Sequence, residues 1–193
     1  MALFHHDEKH PSEGRTAATP HAYVVMGIAS CGKSVIGRML ADDSVLGCRF
    51  YEGDEYHSEE SLDKMKKGTP LTDDDRRPWL ERLSKVIFEE YQCGRSCVVA
   101  CSALKQAYRH VLKQHVPEGY VRFIWLDVDA SLAQDRCDKR HEDHFFPSHL
   151  IASQLSTLDM TVDEAFCHVS IYKPDTTIDD IIQHITSIII MKG

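Results

Sequence analysis

From residue 21 onward, short apolar runs alternate along the chain with amphipathic stretches. Five runs predict β-strands, and these are HAYVVMG, CRFYEGD, SCVVAC, YVRFIWLDV and HVSIY. The stretches between them carry apolar residues three or four positions apart, which is the spacing of an amphipathic helix. Strands separated by helices predict βαβ units with right-handed crossovers, and therefore an α/β fold around a buried parallel sheet.

Two of the predicted helices have sharp patterns. One is PWLERLSKVIFEEYQCG, where Pro78 suits the first turn of a helix and a stripe of apolar residues follows. The other closes the chain with a run of isoleucines at the period of a helix: Ile178, Ile181, Ile182, Ile185, Ile188 and Ile189. We expect a single domain over residues 21–193 after a disordered extension over residues 1–20, which has no sustained period.

Composition narrows the classes of partner. The formal net charge of −8 disfavours nucleic acid and anionic membranes as partners, and no apolar run reaches the ~18–20 residues that span a bilayer. The seven cysteines are an odd number in a chain with no secretory signal, so free buried thiols in a reducing compartment are the favoured interpretation. A cytoplasmic location is therefore expected.

The stretch GIASCGKS, Gly27 to Ser34, matches the phosphate-binding pattern G-x-x-x-x-G-K-[ST]. It lies between a predicted strand and a predicted helix, as the pattern requires. Backbone N–H groups of the loop and of the helix start would face the phosphates of ATP. Lys33 would reach the β- and γ-phosphates, and the Ser34 hydroxyl would coordinate Mg²⁺. We expect the whole loop to bind ATP: Gly27, Ile28, Ala29, Ser30, Cys31, Gly32, Lys33 and Ser34.

Acceptor chemistry is predicted just after the second strand. Asp54 and His57 follow its carboxyl end, which is where ligands bind in open α/β sheets. Asp54 could accept a hydroxyl proton or hold Mg²⁺ through water, although a carboxylate there could also simply cap the next helix.

Cations that could neutralise an anionic acceptor occur in two places. Arg76 and Arg77 end the run TDDDRR. Its three acids could simply cap and complement the N-terminus of the next helix, but that role needs only one acid, and the arginines do not suit a helix start. Their guanidinium groups suit a carboxylate or phosphate. Lys105 and Arg109 follow the third strand, four residues apart on one helical face. We expect Arg76, Lys105 and Arg109 to bind the acceptor, with a solvated surface role equally open for each cation.

A lid is predicted over residues 136–150, in the run RCDKRHEDHFFPSHL. Arg136 and Arg140 would neutralise the transferring phosphoryl group there and exclude water. Histidines in the run could bind metal, but their spacing with the single cysteine of the run, Cys137, does not match a familiar zinc pattern.

The motifs GIASCGKS, EGDEYH, KMKKGTPLTDDDRRPWL, CSALKQAYR and HFFPSHLIASQLSTL together resemble the gluconokinase family. These are small P-loop kinases related in fold to shikimate and adenylate kinases. The resemblance covers residues 23–158 in order. It implies a five-stranded parallel sheet in the order 2-3-1-4-5 with a small lid, and commonly a homodimer.

The resemblance also implies an activity, which is transfer of the γ-phosphate of ATP, with Mg²⁺, to D-gluconate. The product, 6-phospho-D-gluconate, feeds the pentose phosphate pathway. By this likeness, Lys33, Asp54, Arg136 and Arg140 are catalytic. A shikimate- or nucleotide-type kinase and an ATP-dependent binding module or switch are the alternatives. A guanine-selective switch is disfavoured because the sequence contains no asparagine for an Asn-Lys-x-Asp element.

Overall fold

The computed structural model describes residues 19–44, 46–139, 150–161, 165–171 and 176–192. Five parallel strands form one sheet in the order β2-β3-β1-β4-β5, as the sequence and the family resemblance predict. The strands are β1 (Ala22–Met26), β2 (Arg49–Glu52), β3 (Cys97–Ala100), β4 (Val121–Val128) and β5 (Cys167–Ile171).

Helices connect these strands, and most of them match the predicted stretches. They are α1 (Lys33–Asp42), α2 (Glu59–Lys66), α3 (Asp73–Gln92), α4 (Gln106–Lys113), α5 (Ala130–Asp138), α6 (Leu150–Thr157) and α7 (Ile178–Lys192). A 3-10 turn, Gly53–Tyr56, directly continues β2. The predicted extension over residues 1–20 and the predicted lid lie largely outside the described residues.

Alternation along β1 separates two apolar cores, one on each face of the sheet. Tyr23 and Val25 pack in the core that α1 and α7 cover. Val24 and Met26 pack in the other core, with side chains of α3 and α4. A central strand buried on both faces explains why the sequence of β1 is continuously apolar.

The prediction for the start of α3 is wrong, because the helix begins at Asp73 and not at Pro78. The Thr72 hydroxyl accepts from the backbone N–H of Asp75, and the Asp75 carboxylate accepts from the backbone N–H of Thr72. This capping box starts the helix inside the run of acids. As a result, Arg76 and Arg77 do belong to the beginning of a helix.

The structure confirms that the isoleucine stripe of α7 faces the core. Ile181, Ile185 and Ile189 are buried in the core beside α1. Ile178 is the exception, since 43% of its surface is exposed at the first position of the helix.

Candidate active site

A cavity of about 650 Å³ lies at the carboxyl edge of the sheet. Residues that follow β1, β2 and β3 line it together, as expected for parallel strands whose carboxyl ends share one edge. The predicted site residues in the lining are Ala29, Ser30, Gly32, Lys33, Ser34, Asp54, His57 and Arg76.

The phosphate loop, residues 27–34, has the backbone that its sequence requires. Gly27 has φ 140°, and a Cβ there would lie 2.6 Å from the carbonyl oxygen of Leu126, so only glycine fits without strain. Ser30 takes φ 62°, which a non-glycine residue adopts only at some cost. Ile28 and Cys31 are buried below the loop, so their side chains support it while their backbone completes it.

The end of the loop opens into α1 without a capping side chain among the described residues. The first N–H groups of α1 are therefore available to an anion, assisted by the helix dipole. Lys33 donates from Nζ to the carbonyl oxygen of Ile28 at 2.8 Å, which keeps its charge against the loop. This arrangement suits a polyphosphate.

A carboxylate that the sequence interpretation missed, Glu52, lies beside Ser34 in the cavity. Its side chain is 15% exposed and accepts a hydrogen bond from the Ser34 hydroxyl. Burial raises the pKa of Glu52, and the bond from Ser34 opposes that rise. A hydroxyl beside a carboxylate is a fitting oxygen set for Mg²⁺. The position of Glu52, at the end of β2 and two residues before Asp54, was the available signal.

The 3-10 turn that carries Asp54 is fixed by α3. Trp79 donates from Nε1 to the carbonyl oxygen of Gly53 at 2.7 Å, and Arg82 donates from Nε to that of Tyr56 at 2.8 Å. Gly53 itself lies tightly against β3, since a Cβ would come within 2.1 Å of the Ala100 oxygen. Asp54 therefore projects from a rigid turn, with 65% of its side chain exposed.

His57 lines the cavity next to Asp54. Its ring stacks on Trp79 with 4.4 Å between ring centroids, and its Nε2 lies 4.0 Å from Asp54 Oδ1. Burial lowers the pKa of His57 to about 4, an effect that nearby Asp54 partly opposes and that Arg76 and Arg82 reinforce. The ring is therefore neutral at physiological pH. Its Nδ1 is buried and has no hydrogen-bond partner among the described residues.

The cations predicted to bind the acceptor separate into two groups. Arg76 lines the cavity, whereas its neighbour Arg77 points outward and pairs with Glu81. Lys105 donates to both carboxylate oxygens of Asp73 at 2.7 and 2.8 Å, and the cavity lining among the described residues does not include it.

Arg109 is a correction to the sequence interpretation. It is 4% exposed and donates to the carbonyl oxygens of Ala103 and Leu104 at 3.1 and 3.2 Å. Its other terminal nitrogen lies 3.0 Å from Asp159 Oδ1. Arg109 therefore supports the loop after β3 instead of lining the cavity. The helical face it shares with Lys105 did not reveal that this face is buried.

Only one of the two predicted lid arginines, Arg136, lies among the described residues. Arg136 lies on α5 next to Cys137, which lines the cavity, but the lining among the described residues does not include Arg136 itself. Arg140 and the neighbouring histidines lie outside the described residues. No group of His, Cys, Asp and Glu suited to a metal ion is found in the part of the chain that the structure describes.

Comparisons with known proteins agree with this site. The model of the shikimate kinase family matches residues 29–188. A gluconokinase from Gluconobacter oxydans is 37% identical over 175 residues, which are 89% of this chain and 95% of that protein. The match to the family model begins inside the phosphate loop and runs through most of the domain.

Two solved structures are similar throughout. A sugar kinase from Janibacter sp. superposes with a TM-score of 0.77 at 34% identity, covering 88% of this chain and 94% of the other. A gluconokinase from Sinorhizobium meliloti gives a TM-score of 0.75 at 32% identity, covering 90% and 94%. The chain belongs to the gluconokinase family, within the kinases that the shikimate kinase model describes.

Proposed function

We propose that this chain is a gluconokinase, which transfers the γ-phosphoryl group of ATP to the 6-hydroxyl of D-gluconate. The observation that carries the proposal is one cavity in which the phosphate loop faces Asp54, His57 and Arg76. The names of the relatives supply the acceptor. In this proposal the product, 6-phospho-D-gluconate, enters the pentose phosphate pathway.

The donor side holds ATP through backbone N–H groups of the phosphate loop and of the start of α1, and Lys33 balances the charge on the β- and γ-phosphates. The N–H groups of Gly27 and Ala29 are not among them, because they donate to the Ser102 carbonyl oxygen and to Gln154 Oε1. Ser34 and Glu52 are the residues that would hold Mg²⁺. When bound, this ion would neutralise charge on the β- and γ-phosphate oxygens. Burial and nearby Asp54 raise the pKa of Glu52, while Ser34, Arg38 and Lys33 oppose that rise. A bound cation would itself favour the ionised carboxylate.

The acceptor side orients gluconate between a cation and two groups suited to hydroxyls. Arg76 pairs with the carboxylate of the substrate, because a guanidinium group binds a carboxylate in two parallel hydrogen bonds. Neutral His57 lines the cavity beside Asp54 and is the second group suited to a hydroxyl. The acceptor thus spans the cavity with its 6-hydroxyl towards the phosphate loop.

In the transfer itself, the oxygen of the 6-hydroxyl attacks the γ-phosphorus in line. Its proton passes to a carboxylate oxygen of Asp54, and the bond from phosphorus to the bridging oxygen breaks, leaving its electron pair on ADP. In this proposal, Arg136 and Arg140 are the cations that neutralise negative charge on the transferring phosphoryl group. No covalent intermediate on the protein is needed.

Two further features belong to the proposal. All seven cysteines are free thiols, as in the reducing cytoplasm. The described residues contain no helix long and apolar enough to cross a membrane. A homodimer is proposed from the family resemblance alone, and light scattering at several protein concentrations would test it.

The site of phosphorylation can be tested directly by ³¹P NMR of the product. Phosphate on the primary 6-hydroxyl couples to two protons and gives a triplet, whereas phosphate on a secondary hydroxyl couples to one proton and gives a doublet. We expect the triplet. A doublet would contradict the proposed orientation of gluconate.

A further inference from the structure

The segment Leu150–Asp159, which we name the α6 strap, touches both loops of the active site. It contains α6 and the two residues that follow it. Three of its residues, Leu150, Ser153 and Gln154, line the cavity. None of the motifs of phosphate binding or acceptor binding accounts for these contacts.

At one end, the α6 strap holds the phosphate loop. The backbone N–H of Ala29 donates to Gln154 Oε1 at 2.6 Å, across 125 positions of sequence. Ala29 immediately precedes Ser30, the loop residue with φ 62°. A side-chain acceptor here fixes the peptide next to a strained residue, and so fixes the direction of the N–H groups that face ATP.

At the other end, the α6 strap holds the loop after β3, residues 101–105, which brings Ser102 into the cavity. The backbone N–H of Asp159 donates to the carbonyl oxygen of Leu104 at 3.0 Å, and Asp159 Oδ2 accepts from the N–H of Gln106 at 2.9 Å. This loop also contains a strained residue, Ala103, with φ 44°.

The α6 strap is itself anchored in both cores of the protein. Ile151, 2% exposed, packs in the core beside α1 and α7. Met160, directly after the strap, packs in the core beside α3 and α4. The segment therefore crosses from one face of the sheet to the other as a fixed element, and both loops are tied to it.

We infer that Gln154 and Asp159 are positioning residues through which the α6 strap couples the phosphate loop to the loop after β3. Because one segment bonds to both loops, a ligand that shifts one loop should also shift the other, and we expect nucleotide and acceptor to bind with positive cooperativity. The inference rests on the proposed function for the identity of the acceptor. The effect on nucleotide binding does not depend on it.

Calorimetric titration of the full chain tests this inference. A non-hydrolysable ATP analogue with Mg²⁺ is titrated in the absence and presence of saturating gluconate, and the ratio of the two dissociation constants is the coupling factor. For the unmodified chain we expect tighter nucleotide binding with gluconate present. Gln154→Met, which keeps the length of the side chain but removes the acceptor, should weaken nucleotide binding by up to about fivefold, because the loop loses a hydrogen bond that orients it before nucleotide binds.

The same variant should lower the coupling factor, a readout that a merely structural role would not move, although the bond from the Gly27 N–H to the Ser102 carbonyl oxygen keeps a second link between the loops. Asp159→Asn, which keeps an oxygen acceptor but loses the charge beside Arg109, should weaken gluconate binding and lower the coupling factor. Because both residues act through one segment, the double variant should lose no more coupling than the stronger single variant. Ser156→Ala, an exposed position of α6, is the matched control and should change none of these values.

Wild-type nucleotide affinity together with wild-type coupling in Gln154→Met would overturn the inference. So would a coupling factor of one in the unmodified chain when both ligands bind. Failure of the proposed function has a different signature. The unmodified chain would then bind nucleotide but not gluconate, while Gln154→Met would still show its loss of nucleotide affinity.

Discussion

The burial of His57 makes a quantitative prediction about stability at acid pH. The folded protein holds the pKa of His57 at about 4, whereas an unfolded histidine titrates near its ordinary value of 6.5. Between pH 4 and pH 6.5, His57 is protonated in the unfolded chain but neutral in the folded protein. The free energy of unfolding therefore falls as the pH is lowered from 6.5 towards 4.

The size of the loss follows from the shift of the pKa. Relative to neutral pH, His57 should remove roughly 1 kcal/mol at pH 5.5 and roughly 2 kcal/mol at pH 4.5. His57→Phe retains a ring to stack on Trp79 and cannot be protonated, so it should remove this share of the pH dependence. His21 contributes in the same direction, because burial lowers its pKa as well, and its share should persist in the variant.

Urea denaturation at pH 7.5, 5.5 and 4.5 measures the effect. The difference in stability between the unmodified chain and His57→Phe should shift in favour of the variant as the pH falls. His110→Phe replaces an exposed histidine of α4 and is the control, with no pH-dependent difference expected. A His57→Phe profile parallel to that of the unmodified chain would refute a buried, neutral His57.

Three further changes test the site and its support. Asp54→Asn should lower kcat by about 10²–10⁴-fold with ATP binding retained, since the carboxylate accepts the proton, and turnover at the unmodified rate would remove Asp54 from the mechanism. Arg76→Ala should raise KM for gluconate by about 10-fold or more, while Arg77→Ala on the outward face should leave it unchanged; equal effects in the two variants would contradict the role given to Arg76. Gly53→Ala should destabilise the protein by about 1–3 kcal/mol, because the added Cβ would lie 2.1 Å from the Ala100 oxygen. Thermal or urea unfolding measures this loss, and an unchanged midpoint would show that the turn can shift.

The sheet and the phosphate loop were predictable because their signals are local. A continuous apolar run identifies β1, and the pattern of glycine, lysine and serine follows it at fixed spacing. The parallel sheet then brings Asp54 and the phosphate loop to one edge without further information. Each of these features is determined by residues that lie close together in the sequence.

Most of the features that were not predicted depend on distant contacts. The start of α3 is the exception, because its capping box joins Thr72 to Asp75 only three positions away, and the interpretation of TDDDRRP missed this local signal. Arg109 resembles any surface cation until Asp159, fifty positions away, is seen to pair with it. Gln154 carries no motif at all, and its role is visible only through the Ala29 N–H that it accepts.

The most direct test of the account is an assay of ADP release with ATP and Mg²⁺, using gluconate, shikimate, AMP or no acceptor. The cavity pairs a phosphate loop with a carboxylate, a neutral histidine and an arginine, so we predict rapid release with gluconate and only background release in the other three reactions. Release that is equal with and without gluconate, or that requires shikimate or AMP instead, would contradict the proposed function.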